Sequence, residues 1–490
     1  MIPATPKIRV TAGNDAPLRA DADHVVYWMI AARRTRWSFG LQHAISQAQG
    51  LGLPLIVLEP LRVGYRHASA RHHAFVVDGM ADQAARFDGT PVAYHPYLEP
   101  EDGADKGLLA ALAERAALVV TDEFPCFFLP RMVRAAASKL PCRLELVDGN
   151  GLMPLRASDR WFPTAYAFRR HLQKELPRHL DAFPLADPLS AARGLPKATV
   201  PADVAKRWPA VDARALAERD RALVTALPID QDVGVAELVG GEGAGREAMT
   251  AFVKAKLRRY SEDRNEPDGD ATSGLSPYLH FGQVSAHEVA RAVMDAEGWH
   301  ESKLSSDPKG ARAGWWGMSE PAEAFLDQLV TWRELGYGFC HHRPDDYDTY
   351  ASLPDWARET LGEHATDERP WLYDLDALEG GDTHDELWNA AQNQLRATGT
   401  MHNYLRMLWG KKILHWTKSP EVALDIMITL NDRYALDGRD PNSYSGMLWC
   451  LGRFDRPWGP EREVFGKIRY MTSDNTARKL HVKDFVKRWA

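Results

Sequence analysis

Three groups of residues in this 490-residue chain have types and spacings that could do chemistry. The first lies between His384 and Trp449. Trp388, Trp409 and Trp416 stand in a helical stretch with Arg406, and Asp437 comes later in a turn-rich, charge-dense loop, NDRYALDGRDPN. Trp409 and Trp416 are seven residues apart, so they share a helix face about two turns apart. Arg406 and Asp437 are opposite charges in a mostly apolar setting, where a guanidinium is rarely left unpaired, so a salt bridge is expected. The second group is TSGLSPYLHFGQ, from Thr272. Thr272, Ser273, Gly274 and Ser276 are small residues just before a helix, where free N–H groups and hydroxyls can hold phosphate. A plain capping role for Thr272 or Ser273 fits the same pattern. The third is WCLGRFDRPWGPEREVFGKIRYM, from Trp449. Arg453, Arg456, Lys467 and Arg469 interleave there with Trp458, which suits phosphate contact plus stacking on bases. A salt-bridged surface loop is the alternative.

These groups need elements to position them. Asp385 and Glu386 start one helix and Gly399 ends it; Thr400 is expected to cap the next, which carries Met401, Leu405, Leu408 and Ile413 inward. In AEAFLDQLVTWRELGYGFC, Phe325, Leu329 and Trp332 fall on one helical face with Gln328 beside them. Asp327 then points about 100° away. From about residue 236 helix follows helix, so this half reads as all-α. The half before it differs. From Asp23 to about residue 150, short apolar strands (VVYWMI, PLIVLEP, PVAYHPY, ALVVTDEF, CRLELVDG) alternate with amphipathic helices. That alternation predicts a Rossmann-like, doubly wound parallel sheet. The first strand is followed by WMIAARRTR rather than GxGxxG, so dinucleotide binding is not supported. VGGEGAGREA lacks the Lys-Ser/Thr pair of a phosphate loop and reads as a flexible entry to a helix. The expected divisions are a flexible segment 1–22, an α/β domain 23–180, a Pro- and Ala-rich linker 181–235 that wraps the surface, and a helical domain 236–490.

Composition narrows the class. Hydrophobic content of 45% and charge of 26% suit a globular protein of two domains. No run of eighteen apolar residues predicts a membrane span, and the N-terminal text has no apolar core of a secretory signal. Cys126, Cys142, Cys340 and Cys450 lie far apart, with no metal-ligand spacing; a reduced, cytoplasmic monomer with no metal is expected. The net charge is −7. From Met401 onward, however, 16 Lys and Arg stand against 10 Asp and Glu, so that part is +6 and the preceding residues −13. Such asymmetry suits one face that meets phosphates, or a solvated basic terminal helix.

The wording of the C-terminal half adds a resemblance. LWNAAQ, then MHxYxRMxWxKKILxW, then LNDRYxLDGRDPNxYxGxxW are similar to the FAD-binding half of class II cyclobutane pyrimidine dimer photolyases, over roughly sixty residues. TSGLSPYLHFGQ resembles the segment of photolyases and cryptochromes that cradles the FAD pyrophosphate, so Thr272, Ser273, Gly274, Leu275, Ser276 and Tyr260 are implied there. The resemblance implies Arg406, Asp437 and Asn431 beside the flavin ring, Phe325, Arg333 and Asn403 near it, and Trp409, Trp388 and Trp416 as an electron-transfer chain from proximal to distal. Gln328, Trp332, Met407 and Trp449 are implied as dimer contacts, and Arg264, Arg453, Arg456 and Trp458 as DNA contacts. The sequence departs from the family at two places: Gln328 stands where the family has Glu, and Asn403 where class II has Gly. The activity that the resemblance implies is light-driven repair of dimers in double-stranded DNA, by electron transfer from excited, reduced FAD. An antenna chromophore of deazaflavin or folate type is left open. The alternatives are a cryptochrome-like blue-light photoreceptor and a DNA-binding flavoprotein without repair.

Overall fold

The computed structural model describes residues 2–490. The chain forms two compact units. The first takes the chain up to Ser158, then Leu176–Thr250 and Leu275–Ala292; the second takes Asp159–Glu175, Ala251–Gly274 and Val293–Ala490. The expected cuts near residues 180 and 236 are therefore replaced by units whose segments interleave along the chain.

The first unit is built on a six-stranded sheet in the order β1-β6-β5-β2-β3-β4. The strands are β1 (Val10–Ala12), β2 (His24–Trp28), β3 (Leu55–Leu61), β4 (Ala93–Leu98), β5 (Ala116–Asp122) and β6 (Arg143–Val147). Helices α1 (Phe39–Leu51), α2 (Ala70–Phe87), α3 (Leu108–Ala113) and α4 (Leu129–Ala137) connect β2 through β6, and these five strands pair in parallel. All of β2 is buried, as expected for a strand covered on both faces. Val25 and Tyr27 point into a core with Phe39 and Leu41 of α1. Val26 and Trp28 point the other way, among Leu108 and Leu112 of α3 and Val133 of α4.

Two expectations for this unit are corrected. The segment 1–22 is not loosely attached throughout: β1 pairs antiparallel with β6, and Arg9 just before it is buried, donating to Leu152 O at 2.7 Å. The entry to the helix Glu242–Ala251 is anchored rather than flexible. The N–H groups of Gly240 and Gly243 donate to Asp78 and Asp82, and that of Gly241 donates to Gln283. Those amides are occupied, which also removes a phosphate-loop role. The stretch 181–235 adds core to this unit: Leu189 and Leu195 join one face of the sheet, Val204 and Trp208 the other.

The second unit is helical. Its main members here are α5 (Ala165–Glu175), α6 (Glu320–Leu326), α7 (Arg333–His342), α8 (Glu386–Thr398), α9 (Asn403–Trp416), α10 (Pro420–Tyr434) and α11 (Pro441–Cys450). Asp385 caps α8 by accepting from the Trp388 N–H at 3.1 Å, and Gly399 closes the helix at φ 73°. Thr400 does not cap α9. The residue before that helix is His402, and the Thr400 hydroxyl bonds Thr398 instead. Between α6 and α7 the chain widens into a π-helix, Asp327–Trp332. Wide turns of this kind interrupt α-helices frequently at functional sites.

Candidate active site

Helices α9 and α10, and the loop after α10, carry the central ion pair. Arg406 reaches Asp437 through two bonds of 2.9 and 3.2 Å. Both side chains keep part of their surface open, 16% and 18%, although their neighbours Leu405, Leu436 and Gly438 are buried. The loop is held from below. Asp432 accepts from the Arg439 N–H at 2.9 Å and from the Tyr444 hydroxyl at 3.1 Å. Its other contact is the Asn431 amide, at 3.3 Å. Burial pushes the Asp432 carboxyl upward. Only glycine fits at 438, because a Cβ there would lie 2.7 Å from Asn431 O. Arg406 and Asp437 thus form a braced ion pair, and Asp432, near the end of α10, orients the Asn431 amide.

Three tryptophans lie on α8 and α9. Trp388, Trp409 and Trp416 are among the largest fully buried side chains. Trp388 donates its indole N–H to Trp409 O at 3.1 Å, and Trp409 donates to the Gln392 side chain at 2.9 Å. The rings of Trp388 and Trp416 meet edge to face at 5.6 Å. Trp416 in turn meets Tyr373 at 5.6 Å and His384 at 5.1 Å.

In the π segment, Gln328 and Trp332 are half-buried while Asp327, Leu329, Val330 and Thr331 are buried. The two partly open positions are four residues apart, so this stretch presents one amide and one ring. Asp327 is committed elsewhere, to Arg169 of α5 through bonds of 2.7 and 3.0 Å. It cannot take over from Gln328. Phe325 is enclosed with Tyr260 and Phe252, at 5.3 and 4.6 Å. Burial pushes the Tyr260 phenol up. Arg264 lies 5.6 Å from the Tyr260 ring. Thr272 and Gly274 are exposed and Ser273 is half-buried, at the end of a segment of the helical unit. Leu275 is buried and Ser276 exposed in the other unit, and the short helix Ser276–His280 has no side-chain cap.

No family model matches the chain. A deoxyribodipyrimidine photo-lyase of Methanothermobacter thermautotrophicus is 34% identical over 98% of this chain and 97% of its own length. The chain belongs to the photolyase family. The photo-lyase of Arabidopsis thaliana is likewise 34% identical, over 97% of this chain and 90% of its own. A bacterial class III photolyase from Agrobacterium tumefaciens shares the fold, with a TM-score of 0.67 at 17% identity over 96% of this chain and 86% of that one. As a member of the photolyase family the protein is an enzyme, a lyase.

Of the residues expected from the sequence, Leu275 and Ser276 fall in the other unit, and two arginines, Arg453 and Arg333, are enclosed. Arg453, expected to meet DNA, is 1% exposed. Its guanidinium lies 4.3 Å from the Trp161 ring, 4.7 Å from Phe339 and 5.4 Å from Phe454. Burial lowers the pKa of that guanidinium to about 10. The aromatic cage holds this cation inside the protein, and that explains why it cannot reach a phosphate. Arg333 is also buried, donating to the Tyr337 hydroxyl, which donates to Asp440 at the start of α11. Asn403 is exposed, Met407 and Trp449 half-buried, Arg456 exposed and Trp458 half-buried. Two residues carry roles that the sequence does not announce: Arg169, which neutralises Asp327, and Asp432, which orients Asn431. One of two adjacent arginines on an amphipathic helix and an Asp near the end of another helix carry no local signal of either role.

Proposed function

We propose that the protein is a class II photolyase that repairs cyclobutane pyrimidine dimers in double-stranded DNA with FAD as its cofactor. The observations that carry this reading are the Arg406–Asp437 pair, the Asn431 amide oriented by Asp432, and three sealed tryptophans on α8 and α9 of the same unit. The donor set fits a flavin: a cation and an oriented amide suit the ring edge that gains charge on reduction. Among the described residues no His, Cys, Asp and Glu cluster could hold a metal instead. Thr272, Ser273 and Gly274 would face the pyrophosphate, with Tyr260 and Phe325 shaping the wall near it. Bound there and reduced, FAD supplies on illumination the electron that splits the dimer and receives it back.

The protein's own side chains position and protect. Gln328 would hydrogen-bond a thymine carbonyl, while Trp332, Met407 and Trp449 pack against the pyrimidines. A dimer is cheaper to extrude than a normal pair, because its pairing and stacking are already damaged. Arg456 would hold phosphate and Trp458 would stack in the gap. Trp409, Trp388 and Trp416 would carry electrons inward from solvent. Gln328 is what favours the second reading, a blue-light photoreceptor on the same scaffold, because a neutral amide replaces the family's acid.

One assay separates the readings. A dimer-containing duplex is incubated with flavin-loaded, reduced protein in the dark and under blue light, and restored thymines are counted. Light-dependent restoration is expected; flavin-loaded protein that binds the duplex and restores nothing would sink the repair reading. Gln328→Glu adds a pH signature. Burial should raise the new carboxyl and keep it protonated at neutral pH, where it donates to the charged dimer. One well-placed donor of that kind contributes about 2.7–4 kcal/mol. Repair by Gln328→Glu should therefore match or exceed the parent at neutral pH and decline as pH rises. Gln328→Leu should lose activity.

A further inference from the structure

Five side chains of the helical unit form an alternating column of cations and rings. The Arg456 guanidinium lies 4.5 Å from the Trp458 ring. Arg469 lies 4.9 Å from the same ring and 5.7 Å from Trp449. Lys411 closes the column, its Nζ 4.9 Å from the Trp449 ring. Arg456 and Arg469 are exposed, Trp458 and Trp449 half-buried, and Lys411 is 0% exposed.

Lys411 is the member that packing does not explain. Its ammonium donates to Cys450 O at 2.8 Å, and among the described residues no carboxylate pairs with it. A buried charge with no carboxylate in direct contact is costly, and a methionine of similar length would fill the same space without that cost. The Cys450 carbonyl ends α11, where a cation is favoured. That contact ties Lys411 to the helix bearing Trp449, and the ring contact then fixes the Trp449 face. Neighbouring Lys412 serves another site, pairing with Asp385 at 3.2 Å.

We propose that Lys411 is a positioning residue for the lesion: it holds the Trp449 ring from the buried side, in the orientation that packs on an extruded pyrimidine dimer. The inference rests on the reading of Trp449 as a dimer contact. It carries a pH dependence of definite sign. Burial lowers the Lys411 ammonium to about 8; the Cys450 thiol and Asp455 draw its proton on, and Arg469 pushes it off. Below that pH the charge is present and the ring is held. As pH rises through it, the charge and the hold are lost.

The test uses the full-length, flavin-loaded protein with Lys411→Met and Lys411→Arg. Affinities for dimer-containing and undamaged duplex are measured from below to above pH 8. The parent should lose roughly threefold to tenfold in dimer affinity across that range, the size a single cation–ring contact supports. Lys411→Met should be weak throughout, Lys411→Arg strong throughout, and undamaged duplex indifferent to all three. A Lys411→Met protein that melts earlier yet keeps the parent's dimer affinity and pH profile would reduce Lys411 to scaffolding and overturn the proposal. A second readout is independent of DNA. In protein labelled with 5-fluorotryptophan, the fluorine signal lost in Trp449→Phe should titrate in the parent and not in Lys411→Met. A silent signal with lesion discrimination intact overturns the proposal alone. A titrating signal with no lesion discrimination in the parent overturns the dimer-contact reading and the proposal with it.

Discussion

The helical unit holds two sets of tryptophans that differ in what touches their rings. Trp388, Trp409 and Trp416 are sealed, and the first two spend their indole N–H groups on protein acceptors. Trp449 and Trp458 are partly open and have cations on their faces. A cation over a ring makes a second positive charge there costly, while it rigidifies the ring as a packing surface. Trp388 and Trp409, and Trp416 with the Lys412 charge above its ring offset by Asp385, are therefore suited to losing an electron and passing the vacancy along. The open set is suited to lying against bases. The same residue type is assigned its task by its neighbours rather than by its own chemistry.

Swapping members between the two sets should give opposite phenotypes. The largest effect is expected for Trp409→Phe. Light-driven reduction of bound flavin by an external donor should fall to the dark level, while flavin content and repair after chemical reduction persist. The buried Gln392 carbonyl loses its donor in that protein, so thermal unfolding should also report a loss of about 1–3 kcal/mol. Next is Trp458→Ala. It should weaken binding to dimer-containing DNA by about 1–3 kcal/mol, the usual contribution of one stacked base, and leave photoreduction at the parent's rate. If photoreduction falls instead, the division between the sets is wrong. Arg456→Ala should act through charge, lowering the slope of log affinity against log salt by about 0.9. An unchanged slope with unchanged affinity would place Arg456 away from DNA. The smallest effect is expected for Lys412→Met. Lys412 is the cation nearest the sealed set, 5.1 Å from the Trp416 ring, and its charge is already offset by Asp385. Removing it should lengthen the life of an oxidised Trp416, seen by transient absorption, by roughly twofold to fivefold.

How much of the molecule is legible in the sequence depends on the range of the signal. The parallel strands are legible because each is a short apolar run between helices, and β2, HVVYW, starts within one residue of the expected VVYWMI and has both faces buried. The Arg406–Asp437 pair is legible because two charges stand in apolar text. The π-helix at Asp327–Trp332 is not, since α and π turns bury nearly the same pattern. Arg453 misleads because a cation among aromatics reads the same whether the rings interleave with it at the surface, as for Arg456, or close over it. Strand β1 is hidden by its length of three residues.

The Arg169–Asp327 pair joins residues 158 positions apart, with most of the other unit's 176–292 text between them. During synthesis, then, Arg169 leaves the ribosome long before its partner exists, and the helical unit cannot close until late. A fragment starting at residue 236 would keep every tryptophan of the sealed set and still lack Arg169 and Trp161. Asp327 would be stranded without a cation and Arg453 without one wall of its cage. Breaking a buried pair in this way costs about 3–5 kcal/mol, a large share of the stability of an ordinary domain. A helical unit cut at residue 236 is thus incomplete, because Asp159–Glu175 belongs to it as much as the helices that follow.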